Sequence, residues 1–213
     1  MTAFPEPTVA WADDDDTRPL VVLLHGRGAD ESGILGLARY LPPTASYAAV
    51  RAPIAENGGY AWFANRGIGR PVAESLRSTL TWFREWLDTV APAGRPVVLV
   101  GFSGGAAFAG GLVLDDPQRF AGAAVLHGTL PFDAGVPVTP GHLERVPVFL
   151  ARGATDVVIP ADLLDRTWAY VTGESGAVAR THLDPGGHGL TAPAVNALAA
   201  WVEDVLAGRP GRA

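Results

Sequence analysis

The chain of 213 residues contains no cysteine and no lysine, because all 16 of its basic residues are arginine. Without cysteine, neither disulfide bonds nor thiolate zinc sites can form, and a cysteine nucleophile is excluded. There is no run of 18 consecutive apolar residues, and residues 1–16 lack a basic segment followed by an apolar one. Neither a membrane span nor an export signal is therefore predicted, and a cytoplasmic protein is the expectation.

The charge pattern argues against nucleic acid as a partner. The formal net charge is -6 and the arginines are scattered, whereas a phosphate-binding face needs clustered cations. The acidic run at residues 13–16 is interpreted as a solvated turn and not as a metal site. With 48% hydrophobic residues the chain can bury one sizeable core, so residues 1–213 are predicted to form a single domain.

Seven short apolar runs predict strands, and helical patterns lie between them. The strands are expected at residues 8–11, 20–24, 47–51, 97–102, 123–126, 148–151 and 179–183, and helices near 31–41, 71–90, 160–175 and 191–207. Most runs are continuous, as in strands buried on both faces. This alternation predicts an α/β fold with a mostly parallel central sheet and helices on both faces, in which ligands bind at the carboxyl ends of the strands. The loop-like residues 128–147 are too few for a cap domain.

A nucleophile motif follows the fourth predicted strand. Residues 97–106 read VVLVGFSGGA, an apolar strand that runs into Gly-x-Ser-x-Gly with Ser103 at its centre. A serine in this context sits on a sharp turn between strand and helix, which exposes its Oγ above the sheet edge. The pattern alone also fits a glycine-rich turn whose serine only caps the helix. Ser103 therefore needs partners before it can be assigned as a nucleophile.

Those partners are present at two other strand ends. A serine hydroxyl becomes nucleophilic when a histidine takes its proton and an acid orients that histidine. Asp156 lies in the loop after the predicted strand 148–151, and His188 lies in the loop after the predicted strand 179–183. The order serine, acid, histidine is the one that α/β-hydrolases use. The sequence thus predicts a triad of Ser103, Asp156 and His188.

Other acids and histidines fit less well. Asp133 is an alternative acid, although it lies in the Pro-Gly-rich segment, and Asp184 is too near His188 along the chain to orient it. The remaining histidines are assigned no catalytic role, since those at strand ends are expected to hydrogen-bond the backbone and the others to lie at the surface. They are His25 and His127 at strand ends, and His142 and His182 elsewhere.

Two backbone N–H groups are predicted to form an oxyanion hole. One belongs to the residue after the nucleophile, Gly104, and the other comes from the loop after an early strand. Residues 23–30, LLHGRGAD, form that loop, and Arg27 is the candidate for the second donor.

Together these motifs resemble the carboxylesterase and phospholipase family of small α/β-hydrolases, which includes the acyl-protein thioesterases. The matching motifs extend over nearly the whole chain: HG at 25–26, WF at 62–63, GFSGGA at 101–106, residues 153–160 and GH at 187–188. The resemblance implies an α/β-hydrolase fold without a cap domain, the Ser103, Asp156 and His188 triad, and no metal or organic cofactor. It implies an acyl-enzyme mechanism on a small-molecule carboxylic ester or thioester.

Two departures from the family pattern surround the serine. Many relatives carry glutamine where this chain has Gly104, and an apolar residue where it has Arg27. The Arg27 side chain either favours an anionic substrate or points to solvent or Asp30. By the resemblance Trp62 and Phe63, in an aromatic loop at residues 57–70, line the acyl pocket, although they would also serve to anchor that loop to the core.

Three alternatives remain open at this stage. The same residues would serve an acyltransferase or a peroxide-using relative, because only the acceptor differs. A catalytically silent α/β-hydrolase that binds a small ligand is the third, because fold does not fix function. A homodimer is compatible with the sequence.

Overall fold

The computed structural model describes residues 4–211, and nine strands are found within that range. They are β1 (Val9–Ala12), β2 (Leu20–Leu24), β3 (Ser46–Val50), β4 (Ile54–Glu56), β5 (Gly59–Ala61), β6 (Val97–Phe102), β7 (Gly122–Leu126), β8 (Pro147–Gly153) and β9 (Val178–Asp184). Seven of them form one sheet in the order β1-β3-β2-β6-β7-β8-β9. All neighbours in this sheet pair in parallel except β1 with β3.

Residues 4–211 form five α-helices, four of them between strands and the fifth after β9. They are α1 (Glu31–Leu35), α2 (Ala73–Val90), α3 (Gly104–Asp115), α4 (Ala161–Ala169) and α5 (Ala192–Leu206). Side chains of β2 show how the two faces are covered, because successive residues of a strand point in opposite directions. Leu20 and Val22 belong to the apolar cluster that contains residues of α2 and α3. Val21 and Leu23 belong to the cluster on the other face, with residues of α5.

Burial separates the roles of the helices. α2 buries one stripe that includes Leu76, Leu80 and Phe83, as an amphipathic surface helix does. In α3, every residue from Gly105 to Leu114 is buried. The helix behind Ser103 is therefore enclosed by the core, which fixes the direction of the turn that precedes it.

The α/β-hydrolase fold and its seven predicted sheet strands are confirmed, and the largest difference from the sequence-based picture is a small hairpin. Residues 57–70 were expected as one aromatic loop, but β4 and β5 pair antiparallel around Asn57 and Gly58. Both turn residues have positive φ, at 50° and 81°, and Asn-Gly is the pair that favours such a two-residue turn. The expected helix at 31–41 changes to a 3-10 helix from Gly36, and the one at 160–175 ends in a π-helical turn from Tyr170.

The segment between β7 and β8 remains irregular. Residues 127–146, all of them described, contain no helix, so no cap is inserted there. Across residues 4–211 we find no helix long and apolar enough to cross a membrane.

Candidate active site

Ser103 lies at the turn between β6 and α3 in a backbone conformation that few residues adopt, with φ 54° and ψ -113°. Its N–H donates to the carbonyl of Leu126 on the neighbouring strand β7, at 2.9 Å. The two motif glycines allow this turn to form. A Cβ on Gly101 would collide with the carbonyl oxygen of Gly105, and a Cβ on Gly105 would collide with that of Leu24. The sequence therefore forms the strained turn only with glycine at both positions.

Ser103, His188 and Asp156 form one hydrogen-bonded chain. Ser103 Oγ lies 3.0 Å from His188 Nε2, and His188 Nδ1 lies 2.8 Å from Asp156 Oδ2. The second carboxylate oxygen of Asp156 accepts from the N–H groups of Val158 at 2.9 Å and Ile159 at 3.1 Å. The His188 side chain is 15% exposed and the Asp156 side chain is fully buried. This arrangement can transfer the serine proton to the imidazole while the acid orients the ring.

The loops that carry the acid and the histidine are joined to each other. Ala154 N–H donates to the Asp184 carbonyl at 2.7 Å, and Thr155 N–H donates to the Gly186 carbonyl at 3.1 Å. These bonds continue the pairing of β8 with β9 beyond the strands. The distance between Asp156 and His188 is thus set by the sheet edge.

The environment keeps Asp156 ionised. Burial disfavours its charge and would raise its pKa, but hydrogen bonds from His188, Ile159 and Val158 act in the opposite direction and outweigh burial. The pKa of Asp156 is consequently lower than that of a free aspartate. An ionised acid is what holds an imidazole in the Nδ1–H form.

The other acids take different positions. Asp133 is exposed at the surface and pairs with Arg166 at 3.3 Å. Asp184 is buried, and it accepts hydrogen bonds from Gly186 N–H at 2.8 Å and from the Thr191 hydroxyl. Its carboxylate therefore braces the start of the loop that carries His188.

His25 makes backbone contacts with both ring nitrogens. Nδ1 lies 2.7 Å from the Gly26 carbonyl oxygen, and Nε2 accepts from Ala52 N–H at 3.0 Å. Burial lowers its pKa. His142 Nε2 contacts the Leu114 carbonyl at 2.6 Å, and His182 lies 3.8 Å from Asp184.

The two predicted oxyanion donors lie side by side. A Cβ on Gly104 would be 3.1 Å from the backbone nitrogen of Arg27, so these two segments are in contact beside Ser103. Gly104 is the first residue of α3, where a helix has no internal acceptor for its N–H groups. Both residues also line the pocket into which Ser103 opens.

The β4–β5 hairpin supports the loop that contains Arg27. Gly28 N–H donates to the Tyr60 carbonyl at 2.9 Å, and Tyr60 N–H donates to the Ala29 carbonyl at 3.1 Å. Two guanidinium nitrogens of Arg27, Nε and Nη2, donate to the two carboxylate oxygens of Glu56 at 2.5 Å each, and the third, Nη1, donates to the Phe63 carbonyl at 3.1 Å. Arg27 therefore pairs with Glu56 and not with Asp30, and its charge is compensated inside the protein.

A pocket of about 430 Å³ opens above Ser103 and His188. Most of its walls are apolar, from residues Phe63, Ile68, Phe102, Ala107, Val158 and Ile159. Thr129 also lines it, but the Thr129 hydroxyl is 3.0 Å from that of Thr167. The volume and lining suit an uncharged apolar group of modest size.

Phe63 and Trp62 have different surroundings. Phe63 lines the pocket, whereas Trp62 is 1% exposed and stacks on Phe108 with ring centroids 4.5 Å apart. Trp62 Nε1 donates to the His25 carbonyl at 2.8 Å. Trp62 thus anchors its loop to the core, and a direct substrate contact is indicated only for Phe63.

A fourth polar side chain, His127, lies behind the triad, and sequence reasoning assigned it no role. It follows β7 and is fully buried, with Nδ1 3.9 Å from Asp156 Oδ2. His127, Asp156 and His188 offer ligand atoms that all lie within 4.8 Å of one another. Two of the three side chains are closed to solvent and His188 Nδ1 already contacts Asp156, so these residues do not resemble an open metal centre.

Comparison with known proteins identifies the family of this chain. A family model described as phospholipase/carboxylesterase matches residues 6–205. The putative hydrolase MhqD of Bacillus subtilis (strain 168) is 27% identical over 192 residues, which cover 88% of this chain and 94% of that protein. The Bacillus cereus carboxylesterase structure aligns with a TM-score of 0.82 and 25% identity, over 93% of this chain and 94% of its own. A Mesorhizobium loti carboxylesterase aligns with a TM-score of 0.77 and 26% identity, over 87% and 88%. The chain therefore belongs to the phospholipase/carboxylesterase family.

Proposed function

We propose that this carboxylic ester hydrolase acts through an acyl-enzyme formed on Ser103. The observation that carries the proposal is the chain of contacts from Ser103 Oγ to His188 Nε2, 3.0 Å, and from His188 Nδ1 to Asp156, 2.8 Å, at the base of an apolar pocket. A glycine-rich turn whose serine only caps a helix would not require this chain of contacts. It is the arrangement that makes a serine hydroxyl nucleophilic.

The reaction proceeds in two steps. His188 takes the proton of Ser103 while Oγ attacks the ester carbonyl, and the N–H groups of Gly104 and Arg27 bind the oxyanion. The imidazolium then gives its proton to the leaving alcohol. Water, deprotonated by His188, attacks the acyl-enzyme; the bond between Oγ and the acyl carbon then breaks, the acid leaves, and His188 returns the proton to Ser103 Oγ. Asp156 orients the ring and stabilises its positive charge throughout.

The pocket lining supports a preference for neutral, apolar acyl groups. Since the charge of Arg27 is compensated by Glu56, the wall beside Ser103 offers no free cation to a carboxylate. We therefore place neutral esters with short or medium apolar acyl groups as substrates. Thioesters with the same acyl groups fit the same site, because the oxyanion and the acyl pocket do not involve the leaving atom.

p-Nitrophenyl esters with acetyl, butanoyl, octanoyl and palmitoyl groups test this proposal. The wild-type protein should hydrolyse the shorter esters faster than palmitate, and Ser103→Ala should lower kcat by about 10⁴-fold or more. Ser78→Ala, which changes a partly exposed serine of α2 outside the pocket, is the matched control and should retain wild-type rates. Absence of hydrolysis by the wild type, together with no fluorophosphonate labelling of Ser103, would contradict the proposal.

A further inference from the structure

His127 is a buried histidine whose ring has no hydrogen bond. Its backbone N–H donates to the Ala151 carbonyl at 2.8 Å, which places the residue at the end of β7, and its φ is 48°. The side chain has no exposed surface, and neither ring nitrogen has a hydrogen-bond partner among residues 4–211. An unpaired polar group in such a position lowers the stability of the fold, so its presence calls for a role.

The ring faces the rear of the triad. Nδ1 lies 3.9 Å from Asp156 Oδ2, and the ring centroid lies 6.0 Å from that of His188 with the two planes perpendicular. The Phe102 ring, with its centroid 5.9 Å away, closes another side. The remaining polar groups that face His127 are the carboxylate of Asp184 and the backbone of Gly187.

Asp156 has an unused acceptor position on this side. Its Oδ1 accepts from two backbone N–H groups, and its Oδ2 accepts from His188 alone. A carboxylate oxygen can accept two hydrogen bonds. Nδ1 of His127 lies 3.9 Å from Oδ2.

His127 is held neutral. Burial lowers its pKa, and repulsion from His188 lowers it further, against the opposing attraction of Asp156 and Asp184 and a weak contact with the backbone of Gly187, which competes with Asp156 for the ring N–H. A neutral imidazole carries one N–H, and its placement on Nδ1 or Nε2 depends on the neighbouring acceptor.

We propose that His127 is a positioning residue which directs its Nδ1–H at Asp156 Oδ2 and so keeps that carboxylate aligned with His188. The role rests on the proposed function of the triad. At 3.9 Å the contact is electrostatic, and a shift of about 1 Å brings it to hydrogen-bond length. At that length the Asp156 carboxylate would accept from both imidazoles, one on each side of Oδ2.

Two variants separate positioning from packing. His127→Asn keeps an N–H the same number of bonds from the backbone as Nδ1 and tolerates a positive φ, whereas His127→Leu has the same branching without a donor. We expect kcat/KM of the Asn variant within about threefold of wild type. In the Leu variant kcat should fall about tenfold at unchanged KM. The acid limb of its pH profile should move to higher pH, because Asp156 without its second donor holds the proton on His188 more firmly.

A slow Leu variant with a shifted pH profile, beside an active Asn variant, would support the positioning role. A Leu variant with wild-type kcat and pH profile would overturn the proposal. So would equal losses in both variants with unshifted profiles, since these indicate a packing role alone.

A measurement on the wild-type protein tests the proposal even if the Leu variant does not fold, and it does not require enzymatic activity. Two-dimensional ¹⁵N–¹H spectra of the imidazole rings report which nitrogen carries the proton, and His127→Asn assigns the signals of His127. We expect the Nδ1–H form, with its Nδ1 signal moved by Asp156→Asn and unmoved by Asp133→Asn. An Nε2–H form overturns the proposal. If the wild type does not hydrolyse esters, the proposed function fails. The spectrum would still report the position of the His127 proton, because it does not depend on turnover.

Discussion

Asp133 and Asp156 each follow a strand of the central sheet, but their surroundings differ. Asp133 projects to solvent beside Arg166, whereas Asp156 is enclosed and receives hydrogen bonds from His188 and two backbone N–H groups. From the sequence, Asp156 is the predicted acid of the triad and Asp133 stays an alternative. The end of a strand can be recognised from local sequence, but the path of the loop that follows cannot. Contacts made far along the chain separate the two.

The acid assignment leads to a matched pair of substitutions. Asp156→Asn should lower kcat by roughly 10³- to 10⁴-fold with little change in KM, because the amide favours the wrong tautomer of His188. Asp133→Asn should leave kcat within twofold of wild type, since it removes one exposed ion pair. Steady-state kinetics on p-nitrophenyl butanoate checks both. Equal effects of the two changes would remove Asp156 from the triad.

Asp184 is expected to act on stability in a pH-dependent way. Hydrogen bonds from Thr191 and Gly186 lower its pKa in the folded protein. A lowered pKa stabilises the fold above the ordinary aspartate value of about 4, and this contribution disappears as the pH falls through the lowered value. The Tm deficit of Asp184→Asn relative to wild type should therefore be larger at pH 7 than at pH 3.

Asp14→Asn, at an exposed position outside the helices, serves as the control for this measurement and should change Tm little at pH 7. A deficit for Asp184→Asn that stays constant from pH 7 to pH 3 would show that the carboxylate charge is not involved.

The β4–β5 hairpin is the element that sequence reasoning missed. Asn57-Gly58 gave a usable signal, but the strands beside it have three residues each and lack an apolar run. Besides each other, these strands contact the loop that contains Arg27. No local sequence pattern predicts that contact. The seven sheet strands were predictable for the opposite reason, because burial on both faces makes each one a continuous apolar run.

The contact between Arg27 and Glu56 predicts how the hairpin affects catalysis. Glu56→Gln should lower kcat several-fold for neutral esters, because the loop that carries the Arg27 N–H loses a two-point anchor. The same change frees the charge of Arg27 beside the pocket. Esters with a terminal carboxylate should then gain relative to neutral ones, by a factor of about 3 to 10 in kcat/KM.

Competition between the two ester types, measured on one enzyme sample, gives this ratio directly. Glu74→Gln in the first turn of α2 is the control and should leave the ratio unchanged. If Glu56→Gln also leaves it unchanged, the Arg27 side chain does not influence the substrate.

At the scale of the whole molecule, we find no helical cap over the pocket within residues 4–211. Residues 127–146 contain no helix, and Ser103 and His188 open directly into the pocket. We therefore expect hyperbolic kinetics with p-nitrophenyl butanoate on both sides of its solubility limit, because no lid has to open at an oil surface. A jump in rate above that limit would show that a segment closes over the site.

The arrangement of the sheet also determines when during folding the site exists. Ser103 and His188 are 85 residues apart, and His188 lies between β9, the edge strand, and α5, the C-terminal helix. Long-range parallel pairing forms slowly. The core around β2, β6 and α3 can consequently report native fluorescence from Trp62 before any hydrolysis returns. In a refolding experiment, recovery of esterase activity will mark the closing of the last strand on the sheet.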